Sequence, residues 1–391
     1  MLYFDNAATT LKKPQVMIDA MIKALQIFGN SGRGTSETSM SAAKTIMKAR
    51  IAINQLIHGE SSQQVVFTHN ATESLNLAIK GILQPGDHVI TSVMEHNSVL
   101  RPLYELEKQG IELTILPMNK TCYVDSDTVK AAIKNNTKAI ILTHGSNVTG
   151  NINPLEEISQ IIPSKEIIFM IDASQTMGAI PIDVQRMGID ILCFTGHKSL
   201  MGPQGTGGLY VRPGIKVRPL KTGGTGMDTF NKEHYPEMPT ALEAGTLNGH
   251  GIAGLLASIK YIQDISIEQI MQDEKNKTDY LYRKLQNISG LTFYGNFQQD
   301  QRCPIISLNL DPLNSAEFSE YLLEVGQVIT RSGGHCAPLM HEAFETKERG
   351  MVRLSLSHFT TFEEIDQVVE IIQSILKKDS KELGNELDVI L

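Results

Sequence analysis

The sequence predicts an α/β fold: a mostly parallel seven-stranded sheet followed by a smaller α+β unit. Three observations carry this expectation. Short, nearly continuous apolar runs recur at 65–68 (VVFT), 88–92 (HVITS), 111–116 (IELTIL), 139–143 (AIILT), 167–171 (IIFMI), 191–194 (ILCF) and 207–211 (GGLYV). Amphipathic segments of helical period separate them, near 15–28, 41–58, 73–83, 98–109, 126–135 and 155–162. Apolar strands alternating with helices belong to parallel sheets covered on both faces. The alternation ends near residue 212, and an irregular Gly/Pro/Thr-rich stretch runs from Pro213 to Gly254. Such a long irregular stretch in a compact chain is usually functional or lies at an interface.

A second pattern follows. A long helical segment is expected at about 252–287, a strand at 305–310, a helix at 315–324 and a short strand at 327–330. A strand at 351–356 and a helix at 362–377 complete it, and the polar residues from about 378 read as a solvated helix end. With 391 residues the chain is too long for one ordinary core.

Lys and Arg number 35 against 43 Asp and Glu, a net charge of −8, and no basic patch stands out. Nucleic acid and anionic membrane are therefore poor partners. The opening MLYFDNAATT is not a secretory signal, and no apolar run approaches the roughly 18 residues of a membrane span. A cytoplasmic location is expected.

The four cysteines, Cys122, Cys193, Cys303 and Cys336, are widely spaced and form no CxxC. That pattern is neither a disulfide framework nor a zinc ribbon. Cys193 and Cys303 sit at apolar runs and read as inert core thiols; Cys122 lies in a polar turn region. Cys336 alone stands among glycines and a histidine, in RSGGHCAPLMH at 331–341. No metal site is expected there, since adjacent His335 and Cys336 point opposite ways in extended chain and His341 is badly spaced as a third ligand. Neither a GxGxxG fingerprint nor a Walker motif is present.

In open α/β sheets, ligands bind beyond the carboxyl ends of the strands. Five strands here run into HNATES, VMEHN, HGSNVTG, DASQ and TGHKS. Thr72 can cap the helix it opens, where free N–H groups attract an anion. Asp172 at a strand end could be a metal ligand, a base or the partner of a ring nitrogen. Lys198, flanked by Gly196 and MGPQGTGG, could be a surface lysine or a desolvated nucleophile. Together Asp172 and Lys198 match the needs of pyridoxal phosphate: a lysine for the Schiff base and an acid for the pyridinium nitrogen.

At this point the chain resembles the class V, fold-type I pyridoxal-phosphate enzymes, and among them the cysteine desulfurases of the group II (SUF-type) and selenocysteine lyase branch. The resemblance runs nearly end to end. It is anchored on YFDNAATT at 3–10, NATES at 70–74, MEHNS at 94–98, SNVTG at 146–150, DASQ at 172–175 and TGHK at 195–198. EAGT at 243–246, RSGGHCAP at 331–338 and VRLSLSHFTT at 352–361 complete it.

The resemblance implies the fold-type I transferase fold, with a large domain at 15–255 and a small domain of 1–14 and 256–391. It implies that Lys198 carries the cofactor, Asp172 pairs with the pyridinium nitrogen and Gln175 bonds the phenolic oxygen. His96 would stack on the ring and assist proton transfer. Ala71, Thr72, Thr195 and His197 would hold the phosphate, joined by Thr246 of the other subunit of a homodimer. Asn147 and Arg353 would bind the substrate carboxylate, with Arg331 nearby, and Cys336 would be the nucleophile. Arg331 and His335 would favour its thiolate, and the glycines would let its loop approach and retreat.

The implied reaction converts L-cysteine to L-alanine, leaving a persulfide on Cys336 for an acceptor protein, as in iron–sulfur cluster assembly. The alternatives are a selenocysteine lyase acting on L-selenocysteine, another class V aminotransferase or epimerase, and a silent scaffold. Two departures stand out: Gly334 where group II enzymes often carry histidine, and RGTSETS at 33–39 where SUF-type enzymes commonly carry one. Seventeen positions separate Cys336 from Arg353, a short loop of the group II kind.

Overall fold

The structure, a computed structural model, describes residues 1–30 and 36–388, with side chains through 376. Residues 33–35 of the RGTSETS departure therefore lie outside the described residues. The first half contains strand β1 (Leu2–Tyr3), helices α1 (Gln15–Ile27) and α2 (Glu37–Leu56), strand β2 (Val65–Thr68) and helix α3 (Ala71–Ile82). Then come β3 (His88–Ser92), α4 (Asn97–Glu107), β4 (Glu112–Leu116), α5 (Ser126–Ala132), β5 (Thr137–Thr143) and α6 (Leu155–Gln160). Strands β6 (Ile168–Asp172), β7 (Ile191–Thr195) and β8 (Gly207–Val211) complete the sheet.

The seven strands lie in the order β2-β8-β7-β6-β5-β3-β4, parallel except for β8, which is antiparallel to both neighbours. Every residue of β6, β7 and β8 is buried. Ile140, Phe169, Ile171, Leu192 and Phe194 face α2 and α7 (Gly249–Ile265) on one side. Ile141, Ile168, Met170, Ile191 and Cys193 face α3 and α4 on the other. The period of two thus feeds two apolar layers, so the strands read as continuous apolar runs.

From β3 the chain goes outward to β4, then returns to β5 on the other side of β3. The crevice at such a reversal is where an open sheet receives a ligand. Asn70 caps α3 beside it by accepting the Glu73 N–H at 2.9 Å. Gly207 permits the approach, since a Cβ there would lie 2.7 Å from the Asn70 Cα.

The expected helix over 252–287 is two helices, α7 and α8 (Ile267–Leu285), broken at Ser266, whose φ is +80°. The Ser266 side chain caps α8 through the Gln269 N–H, so the break is built from a capping residue. Beyond it lie β9 (Leu291–Tyr294), β10 (Ile305–Leu310), α9 (Ser315–Gly326), β11 (Val328–Ile329), α10 (Pro338–Ala343), β12 (Val352–Ser355) and α11 (Phe362–Asp388). Strands β9, β10 and β12 form an antiparallel sheet, and β11 pairs in parallel with β1. Leu2 and Phe4 at the start of the chain share a core with Leu281, Phe318, Val352 and Ile372.

Candidate active site

The strand ends converge. Ala71 and Thr72 of α3, His96 and Ser98 at the start of α4, Asn147 after β5, Asp172 ending β6 and Gln175 after it, and Thr195 ending β7 with His197 and Lys198 after it line one crevice. Thr246 lies outside it, on the irregular stretch beside Phe67 and Leu220. Arg331 is exposed and pairs through its backbone with Arg353.

One end of the crevice is an anion cradle. Thr72 does not cap α3; Asn70 does, and the Thr72 hydroxyl lies 2.8 Å from the Ser98 hydroxyl. The Asn70 side chain takes the Glu73 N–H, so the N–H groups of Ala71 and Thr72 have no acceptor among the described residues. The Thr195 hydroxyl is buried without a partner. Unpaired donors around a helix N-terminus suit a phosphate or carboxylate. His197 bonds Thr9 at 3.0 Å through Nδ1, and burial holds it down to about 4, so the ring is neutral.

The middle holds the titrating groups. Ser174 donates to Asp172 Oδ1 through its N–H at 2.9 Å and through its hydroxyl. Nothing among the described residues bonds Oδ2. The Lys198 ammonium is enclosed, and burial lowers it to about 8; Asp172 pulls it up and Arg353 and Arg331 push it down. A lysine there loses and regains a proton near neutral pH, as a base must. His96 Nδ1 accepts the Ser98 N–H at 3.0 Å, which puts the ring proton on Nε2. Burial lowers His96 to about 4, leaving a neutral ring.

The far end carries Arg353 and Cys336. Arg353 is buried although β12 is an edge strand. It donates to the Asn147 carbonyl at 2.9 Å and to Asp5 at 3.0 Å, while its Nε is buried without a partner. Cys336 is exposed, and its backbone forms a fixed turn. Asn147 Nδ2 donates to the His335 carbonyl at 2.7 Å, and the Asn97 N–H donates to the Cys336 carbonyl at 2.7 Å. His335 Nε2 bonds the Met351 carbonyl at 3.0 Å. His335 and Cys336 both have left-handed φ, 48° and 57°, a conformation costing about 1–2 kcal/mol per residue that these hydrogen bonds hold in place.

Two expectations are corrected here. His335 is no cation for a thiolate: burial pushes its pKa well below the usual value, so the ring stays neutral. The loop is also not unbonded as it stands, despite its glycines. Gly333 is bonded in both directions to Met351 at 3.1 and 3.2 Å, and Gly334 accepts from the Ala337 N–H at 3.0 Å. Gly334 does leave open space, since a Cβ there meets nothing within 4 Å.

Several supporting residues escaped the sequence reading. Asp5 anchors Arg353, Ser174 holds Asp172, and Ser98 joins Thr72 to His96. Glu95, one residue before His96, is fully buried; its Oε1 accepts from Ser92 Oγ at 2.6 Å and from the Thr143 N–H at 3.0 Å. Its other oxygen has no partner, and burial raises it to about 8. The one sequence signal for it was an acid three residues past a buried strand.

A model of the family described as aminotransferase class-V matches residues 2–368. The chain belongs to that family. Among curated relatives of this class-V enzyme, a probable cysteine desulfurase of Methanothermobacter thermautotrophicus is 31% identical over 381 residues, covering 96% of this chain and 94% of the relative. A cysteine desulfurase of Yersinia pseudotuberculosis is 31% identical, with the same coverage. Among solved structures, the apo cysteine desulfurase of Thermococcus onnurineus NA1 superposes with a TM-score of 0.90 at 30% identity, covering 96% of this chain and 95% of that one. The Escherichia coli cysteine desulfurase CsdA gives 0.87 at 27% identity, covering 96% and 94%.

Proposed function

We propose that this class-V enzyme is a pyridoxal-phosphate-dependent cysteine desulfurase that moves sulfur from L-cysteine onto Cys336 as a persulfide. The observation that carries the proposal is one crevice holding an enclosed Lys198, Asp172 with a free oxygen, and the turn of an exposed Cys336 bonded to Asn97 and Asn147. The residues fit the cofactor: unpaired donors at Ala71, Thr72 and Thr195 suit its phosphate, and Asp172 Oδ2 suits its ring nitrogen. Lys198 would anchor it, with Gln175 and the neutral His96 ring flanking it. When bound, pyridoxal phosphate stores the electrons of a carbanion at the substrate α-carbon.

The protein's own groups do the rest. Arg353 and Asn147 fix the substrate carboxylate, the guanidinium through a fork whose Nε is still unpaired. Lys198 Nζ accepts the α-proton. The Cys336 thiolate attacks the substrate sulfur; the Sγ–S bond forms and the substrate's C–S bond breaks. The electron pair of that bond stays with the β-carbon, which takes up a proton; Lys198 Nζ returns a proton to the α-carbon, and the product leaves as alanine. A nucleophile on the acceptor protein then removes the outer sulfur from Cys336.

A homodimer completes the reading. Val16, Ile22 and Leu25 of α1 and Phe230 of the irregular stretch are exposed apolar groups, and Thr246 lies on that same stretch. A second copy would cover them and bring its Thr246 to the phosphate. The separate core holding Leu2, Phe4 and residues from 281 onward supports a small unit made of the chain start and the C-terminal segment, while the 255/256 boundary falls inside α7, whose Leu256, Ile259 and Ile262 pack in the sheet core. None of the described helices is long and apolar enough to cross a membrane.

The test measures alanine and sulfide from cysteine and from selenocysteine, in wild type and Cys336→Ala. The variant should keep the yellow cofactor band and lose at least about 100-fold of its cysteine activity. Full activity in the variant refutes the persulfide route, and selenocysteine turnover that survives favours the lyase alternative.

A further inference from the structure

Charge balance at the phosphate end points to a residue not yet assigned. A phosphate monoester near neutral pH carries close to two negative charges. At the phosphate end of the crevice, away from Arg353, Lys198 is the only lysine or arginine among the described lining residues, and the cofactor's aldehyde carbon would take it up. His197 is held neutral by burial. The unpaired N–H and hydroxyl donors orient a phosphate without neutralising it.

Lys13 reaches the backbone of His197, a residue that lines this cradle. It belongs to a strap, residues 9–13, that crosses the lysine-bearing turn. Thr10 donates through its N–H to the His197 carbonyl at 3.1 Å and through its hydroxyl to the Lys198 carbonyl at 2.9 Å. Thr9 bonds His197 Nδ1 at 3.0 Å. Lys13 Nζ donates to the same His197 carbonyl at 3.0 Å and has no carboxylate partner among the described residues. A half-buried ammonium satisfied only by a carbonyl is rare, because removing a charge from water requires a counter-charge. Neighbouring Lys12, by contrast, is exposed and paired with Glu364. Burial without an anion lowers Lys13 to about 8, which a bound dianion would reverse.

We propose that Lys13 is the counter-ion of the phosphate-binding end, a positioning residue that acts through His197 and lends its charge to phosphate monoesters. The proposal rests on the pyridoxal-phosphate reading above. It gives the N-terminal strap a role in cofactor retention beyond bracing the turn.

The test uses the cofactor-stripped full chain, with binding followed by absorbance and by the shift in melting temperature. The ligands are pyridoxal 5′-phosphate, pyridoxal without phosphate, and inorganic phosphate; the variants are Lys13→Gln and Lys13→Arg. Lys13→Gln keeps a donor for the His197 carbonyl and drops the charge. It should bind pyridoxal phosphate about 10-fold more weakly, with a shallower salt dependence, and should no longer be stabilised by inorganic phosphate. Pyridoxal binding should be unchanged, and Lys13→Arg should restore phosphate binding. Equal loss of pyridoxal and pyridoxal phosphate in Lys13→Gln overturns the proposal in favour of simple bracing. Unchanged affinity and salt dependence overturn it as well. A wild type that takes up neither ligand refutes the cofactor reading itself.

Discussion

Glu95→Gln isolates the electrostatics of the crevice floor. Glu95 has no accessible surface, no cation pairs with it among the described residues, and one of its oxygens has no hydrogen bond. Burial moves its pKa from 4.5 to about 8, with Asp172 adding to the rise. That rise is worth about 5 kcal/mol at 1.36 kcal/mol per unit. In the unfolded chain the group ionises near 4.5; in the folded chain it keeps its proton until about 8. Folding therefore takes up a proton between those values. The contribution is fully present below pH 4.5 and is lost as pH rises through 8, at up to 1.36 kcal/mol per unit.

Glutamine cannot ionise, so its stability curve should be flatter across that window. Its amide N–H would stand where the carboxyl oxygen has no partner, a constant cost of about 1–3 kcal/mol. Urea unfolding of the cofactor-free protein at pH 5, 6, 7, 8 and 9 gives the difference between the two curves. That difference should favour the variant increasingly up to pH 8. Glu274, also raised to about 8 by burial, contributes to both curves and cancels. Parallel curves from pH 5 to 8 would refute the reasoning, because they mean that Glu95 is already ionised in the folded protein.

Two other substitutions test the far end of the site. Arg353→Lys keeps the charge but cannot bond the Asn147 carbonyl and Asp5 while also offering a fork to a carboxylate, so KM for cysteine should rise about 10-fold or more. An unchanged KM in steady-state alanine production would remove Arg353 from substrate binding. Gly334→His places its side chain in open space without a left-handed φ to relieve, so stability should stay within about 0.5 kcal/mol by urea unfolding. A loss above about 2 kcal/mol would show that the turn needs glycine there.

The central strands were legible because both of their faces are covered, so each reads as an apolar run between helices. Strand β11 was expected at 327–330 and is found at Val328–Ile329, but β1 has two residues, too few to show a period, and β9 is only partly buried. The break between α7 and α8 was masked because the helical pattern continues across it, and a capping serine is a small signal against a long stripe. Within the site, Lys198, Asp172 and His96 were legible because each follows a strand. The Asp5–Arg353 pair was not, since its partners are 348 residues apart and meet where Asp5 bridges to Ser355 beside β12. His335 misled for a different reason. Its place beside Cys336 suggested help for a thiolate, yet the turn buries the ring while the sulfur's residue stays exposed, and burial keeps the ring neutral.

The bond from the Asn97 N–H to the Cys336 carbonyl has a consequence for how the site tolerates change. Asn97 is the first residue of α4, and His96 is its cap. One peptide thus serves as a common reference for the His96 imidazole and for the height of the Cys336 sulfur. A tilt of the first turn of α4 displaces both together, so substitutions at 96–98 and at 335–337 report on one shared coordinate and their effects do not add. The positions of His96 and Cys336 can be retuned here only jointly.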